Sequence, residues 1–166
     1  MYTLEALLSK SEILEPALQM FPSAILVQFP QNIGMIPADG YLLRDLEIYY
    51  QGGTEVTRTE TQQFSASVHP DFERLIIGVD RLAQHLSLKG LVAYIEATFI
   101  GGYGGHRIML WENGKRAGDP RNSINEVLHL FNVVPNRNLD EFDTLGLGRY
   151  RSTRQWARRY HPDNSG

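Results

Sequence analysis

The sequence predicts an α+β fold, a single domain spanning residues 1–166 in which helices pack on an antiparallel β-meander. Three observations lead there. "LVAYIEATFI" (91–100) alternates, with Leu91, Ala93, Ile95, Ala97 and Phe99 on one face, the period of a strand. "HRIMLW" (106–111) reads as a second strand, and the "ENGK" after it is a tight-turn signal, because Asn-Gly accepts the positive φ values of a two-residue hairpin. "DFERLIIGVDRLAQHL" (71–86) carries Phe72, Leu75, Ile76, Val79, Leu82, Ala83 and Leu86 at helical spacing.

The remaining elements follow in chain order. Leu4, Leu7 and Leu8, then Ile13, Leu14 and Leu18, have helical spacing, and Pro16 interrupts them. Two short helices, or one that restarts near Pro16, are expected over 3–21. "SAILVQFP" reads as a strand closed by Pro30, "NIGMIPADG" as an extended piece and a turn, and "YLLRDLEIYY" as a helix or a strand, with Leu42, Leu43 and Leu46 favouring the helix. Residues 51–69 hold glycines and threonines and few large apolar groups, so a long flexible loop or an edge hairpin is expected. Asp71 should cap the helix over 71–86, and Gly90 should stop it. "KRAG" supplies a short third strand of the meander. "NSINEVLHLF" is a helix capped by Asn122 or Ser123. A last helix with Trp156 starts at Ser152 or Thr153, within a basic C-terminal tail over 149–166.

Composition bounds the function. Hydrophobic residues make up 42% and charged residues 21%, ordinary for a globular protein. No apolar run approaches the roughly 20 residues that span a bilayer, and the N-terminus lacks a signal-peptide pattern, so a cytoplasmic protein is expected. There is no cysteine, which excludes disulfides, thiolate nucleophiles and Cys-type zinc sites. Residues 1–100 carry 12 acids against 6 bases, net −6; residues 101–166 carry 7 against 10, net +3. Arg149, Arg151, Arg154, Arg158 and Arg159 make up half of that C-terminal basic count. A pI near 5.9 argues against dedicated nucleic-acid binding.

The motifs point to binding rather than chemistry. "GGYGG" (101–105) lies between two strands, with no GK[ST] after it and no GxGxxG. It therefore reads as a glycine-rich hairpin and not as a phosphate loop. Centred on Tyr103, the hairpin would set Ile100 near His106, Phe99 near Arg107 and Glu96 opposite Leu110, with Glu96 and His106 on one strand face. Tyr103 would be an exposed aromatic anchor with His106 and Arg107 at its foot. The five histidines form no HxH, HxxxH or HExxH pattern, and no G-x-S-x-G elbow occurs. No catalytic residue, metal or cofactor is assigned. "DEFD" (140–143) reads as a charged turn or helix start, its carboxylates within reach of Arg149 and Arg151.

"LVAYIEATFIGGYGGHRIMLWENGK", "INEVLHLF" and "DEFDTLGLGRYRSTRQW" together resemble a family of small bacterial proteins that share an alternating strand, a glycine loop, a "W" strand and a "DEFDxLGLGR" ending. The resemblance covers about residues 68–157 and carries no catalytic residues. Toxin-neutralising immunity proteins share this size and acidic character. The expectation is thus a non-enzymatic protein-binding module, an immunity-type inhibitor of a bacterial toxin, with the homodimer as a further arrangement. Its binding residues would be Tyr103, His106, Arg107, Glu96, Asp140, Asp143 and Arg149. The alternative is a small-ligand protein or hydrolase-like enzyme with its site between the GGYGG loop and the DEFD turn, lined by Glu96, His106, Arg107, Asp140 and Asp143.

Overall fold

The computed structural model describes residues 1–51 and 64–161. Among the described residues, one six-stranded sheet runs in the order β2-β3-β1-β4-β5-β6, every neighbouring pair antiparallel. Its strands are β1 (Tyr2–Lys10), β2 (Val27–Phe29), β3 (Ile33–Pro37), β4 (Val92–Ile100), β5 (Tyr103–Glu112) and β6 (Lys115–Arg116). The expected meander is the β4-β5-β6 half. The other half is reached because β1 inserts between β3 and β4.

Helices cover both faces. One layer holds α1 (Ser11–Leu14), α2 (Pro16–Met20), α3 (Gly40–Gln51) and α4 (Ile77–Leu86). The opposite layer holds α5 (Ile124–Leu130), α6 (Glu141–Leu145) and α7 (Thr153–Tyr160). Successive strand residues point to opposite faces, so each strand feeds two cores. Leu4, Ala6, Leu8, Ala93, Ile95, Ile108 and Leu110 meet Val127, Leu128, Leu147 and Trp156 on the α5–α7 side. Leu7, Val92, Tyr94, Met109 and Trp111 meet Leu42, Leu46, Val79 and Leu82 on the α1–α4 side.

The helix expected over the first ten residues is a strand. Leu4, Leu7 and Leu8 satisfy a helical template, but β1 is central and buried on both faces. Leu7 therefore faces one core while Leu4 and Leu8 face the other. Pro16 opens α2 as its first residue, where its missing N–H costs nothing.

The helix expected from Asp71 begins only at Ile77, with no side-chain cap. The N–H groups of Glu73 and Arg74 instead donate to the Glu96 carboxylate at 2.7 and 2.9 Å, and Val68 N–H donates to Leu75 O. These tertiary bonds hold 64–76 out of a helix, although Phe72, Leu75 and Ile76 still enter the core. Other starts are as expected: Ser123 and Ser152 accept from the backbone of Glu126 and Gln155. Most of the loop expected at 51–69 lies outside the described residues. The basic segment through His161 is largely the packed helix α7, anchored by the buried Trp156.

Candidate functional site

The β4–β5 hairpin turns on Gly101 and Gly102, both at positive φ (57° and 84°), as a two-residue type I′ turn requires. Tyr103 is therefore the first residue of β5 and not the loop centre. The observed register pairs Ile100 with Tyr103, Phe99 with Gly104, Ala97 with His106 and Glu96 with Arg107. It replaces the expected pairing of Ile100 with His106 and Glu96 with Leu110. The shift is an odd number of residues, so it moves residues between faces. Glu96 and Arg107 share the α1–α4 face, and His106 lies on the other. The expected Glu96–His106 pair on one face does not form.

On the α1–α4 face the hairpin presents a ladder from tip to core. Ile100 and Tyr103 stand at the end, 57% and 84% exposed. Thr98 and Gly105, then Glu96 and Arg107, come next, and Tyr94 with Met109 is fully buried. Helices α3 and α4 do not reach the outer rungs. A cleft of about 490 Å³ opens there, with Glu5, Asp71, Glu73, Glu96, Tyr103 and Arg107 in its walls.

Glu96 organises the floor. It accepts from Glu73 N, Arg74 N and, at 2.9 Å, the Tyr94 hydroxyl. Burial and the neighbouring carboxylates Glu96 and Glu5 push the Tyr94 hydroxyl far above its ordinary range, so it stays a donor. Glu5 on β1 is the register partner of Glu96. Burial lifts its carboxyl to about 6, with Glu96 and Glu73 adding to the rise and Arg74, whose Nε lies 3.6 Å away, opposing it.

On the opposite face, His106 and Asp140 do come together in a cavity of about 390 Å³, walled by Tyr2, Phe99, Phe142 and Ile124. The His106 ring packs on Phe99 with centroids 5.0 Å apart, and burial lowers its pKa, favouring the neutral imidazole. Asp140 caps α6: its Oδ1 accepts from Asp143 N at 2.8 Å and its Oδ2 from Asn125 Nδ2. Asp143 lies in the first turn of α6, and Arg149 is exposed beyond it; neither lines these two cavities.

Of the residues expected to share one site, Tyr103, Glu96 and Arg107 meet on one face and His106 and Asp140 on the other. Glu5, Tyr94 and Arg74 escaped the sequence reading. Glu5 fell in the stretch read as helix, and its only signal was the Tyr2, Leu4, Ala6, Leu8 alternation around it. Among the described residues, no group of three or more His, Asp or Glu could hold a metal ion, and no helix is long and apolar enough to cross a membrane. Comparison with known proteins finds no matching family model, no matching curated protein and no matching solved structure.

Proposed function

We propose that this chain is a non-enzymatic protein-binding module that grips a basic partner with the β4–β5 hairpin end and its acidic cleft. An immunity-type inhibitor covering the working surface of a toxin is the form this function takes. The observation that carries the reading is the Ile100–Tyr103 pair, two large side chains exposed side by side on a hydrogen-bonded ladder. Exposed aromatics on a fixed backbone serve as anchors at low entropic cost. Beside them, Glu5, Asp71, Glu73 and Glu96 outnumber Arg107, which favours a positively charged partner.

Affinity capture from the native host, with the captured protein then purified and titrated, tests this. Tyr103→Ala should weaken the complex at least tenfold while leaving the circular dichroism spectrum unchanged. An unweakened complex would remove the hairpin from the interface. A second copy of the chain as the only partner, read by light scattering at two concentrations, would replace the inhibitor by a homodimer.

One observation favours a second reading, a small-ligand site between the hairpin and the DEFD turn: His106 and Asp140 share an aromatic-walled cavity. Such cavities hold planar apolar molecules with a few polar contacts. Chemical-shift perturbation confined to His106, Asn125 and Phe142 on adding an aromatic fragment library would support it. Perturbation elsewhere would sink it.

A further inference from the structure

A third cavity lies where β1 changes partner. β3 ends at Pro37, and beyond it the edge of β1 is taken by the segment leading into α7. Thr3 N–H donates to Arg151 O at 2.8 Å, Glu5 N–H to Thr153 Oγ1 at 2.9 Å, and Ala38 N–H to Glu5 O at 2.8 Å. The chain diverges on both sides of this switch, and a cavity of about 550 Å³ opens between the start of α3, the start of α7 and the 64–76 segment.

Its charge is unbalanced. Arg44, Arg74 and Arg154 line it, against Glu5 and Asp39. Arg74 has Glu5 as an ion-pair partner, but among the described residues no carboxylate lies within ion-pair distance of Arg44 or Arg154. Arg44 stacks on the Tyr41 ring at 5.5 Å, and its buried Nε has no hydrogen-bond partner among the described residues. Arg154 is the second residue of α7, and Arg44 is the fifth of α3. At the start of α7, the Arg154 cation works against the positive end of the macrodipole. Both carboxyls are lifted by burial, Glu5 to about 6 and Asp39 upward despite the hydrogen bond from Leu42 N–H at 3.0 Å. Two arginines that no carboxylate of the described residues pairs, and a third whose ion-pair partner is Glu5, leave room for an anion's charge.

We propose that this cavity is a binding site for a small multivalent oxyanion, held by the planar donor forks of Arg44, Arg154 and Arg74. Guanidinium forks match phosphate and carboxylate oxygens in pairs, which lysines do not. The volume has room for more than a bare tetrahedral anion, so the class proposed is a phosphorylated or polycarboxylate small molecule. The site lies beside the hairpin cleft and stands independently of the protein-binding reading.

Calorimetric titration of the full chain at constant ionic strength, with pyrophosphate in one arm and citrate in the other, tests it. Saturable one-to-one binding in one or both arms is expected, and the stronger arm names the anion class. Arg154→Met, at an exposed position, should weaken binding at least tenfold, and Arg44→Met by as much. Arg137→Met, on an exposed loop elsewhere, should leave affinity unchanged. If neither anion saturates the protein, or if binding survives both cavity substitutions, or if Arg137→Met weakens it equally, the proposal is overturned.

Discussion

Gly104 shows what one missing side chain decides. Its φ is +139°, and a Cβ built on it would lie 1.7 Å from the Thr98 carbonyl oxygen. A methyl group there must break the β4–β5 ladder beside the turn, so Gly104→Ala should destabilise the protein by about 2–4 kcal/mol in urea denaturation. Gly101 has positive φ but open space around it, and asparagine is a favoured residue there. Gly101→Asn should stay within about 0.5 kcal/mol of the parent. Equal costs for the two would mean that the glycine run is needed only for flexibility. Glu5 makes a prediction of the opposite sign. Its folded carboxyl titrates at about 6 against an ordinary 4.5. The folded state then binds the proton more tightly than the unfolded chain, so stability falls as pH rises from about 4.5 through about 6. Glu5→Gln removes that loss and should gain about 1–2 kcal/mol at pH 7.5, after allowance for partial exposure. The gain should vanish near pH 4.5, and a gain independent of pH would point to packing instead.

Between elements, Asp80 ties α4 to the far end of the β5–β6 hairpin. Its Oδ1 accepts from Trp111 Nε1 at 3.0 Å and Arg116 Nε at 3.2 Å, and its Oδ2 from Gln84 Nε2 at 3.2 Å. Removing the carboxylate leaves a buried indole N–H without its acceptor, so Asp80→Ala should cost about 2–4 kcal/mol. Arg116→Ala, which removes only a partly exposed partner, should cost under about 1 kcal/mol by the same denaturation assay. Elements were legible in the sequence where one local rule dominated. The alternation of β4, the Asn113–Gly114 turn and the Ser123 cap each act within a few residues, and each appears where expected. The reading failed where distant partners decided. β1 is buried on both faces by elements far along the chain, so its leucines mimic a helix. The start of α4 is delayed by Glu96, more than twenty residues on. The register of β4 and β5 hung on which two residues of a five-residue glycine stretch form the turn. Centring it on Tyr103 carried His106 to the wrong face. Glu96 and Arg107 were expected on opposite strand faces and meet only in the observed register, and Glu5 could be placed beside Glu96 only once β1 was known to be a strand.

At the scale of the molecule, the two helical layers are unequal covers. Helices α5 and α6 and the 142–148 segment pack close to the hairpin on one face, whereas α3 and α4 stop short of it on the other. Among the described residues, that unequal coverage leaves a strip of sheet open on one side only, with an apolar pair at its tip and carboxylates along its base. The same face draws its acids from the N-terminal hundred residues, which carry 12 acids against 6 bases. Charge arranged this way acts over about a Debye length, so it speeds encounter more than it holds the finished complex. Contacts at Tyr103 and Ile100 are short-ranged and act mainly on dissociation. The two contributions should separate in stopped-flow kinetics with the captured partner. Raising salt from about 50 to about 300 mM should slow association about tenfold and change dissociation less than about twofold. Tyr103→Ala should do the reverse, and Glu73→Lys should lower the salt dependence of association. An association rate indifferent to salt would strip the acidic cleft of its role and leave the hairpin tip as the sole recognition element.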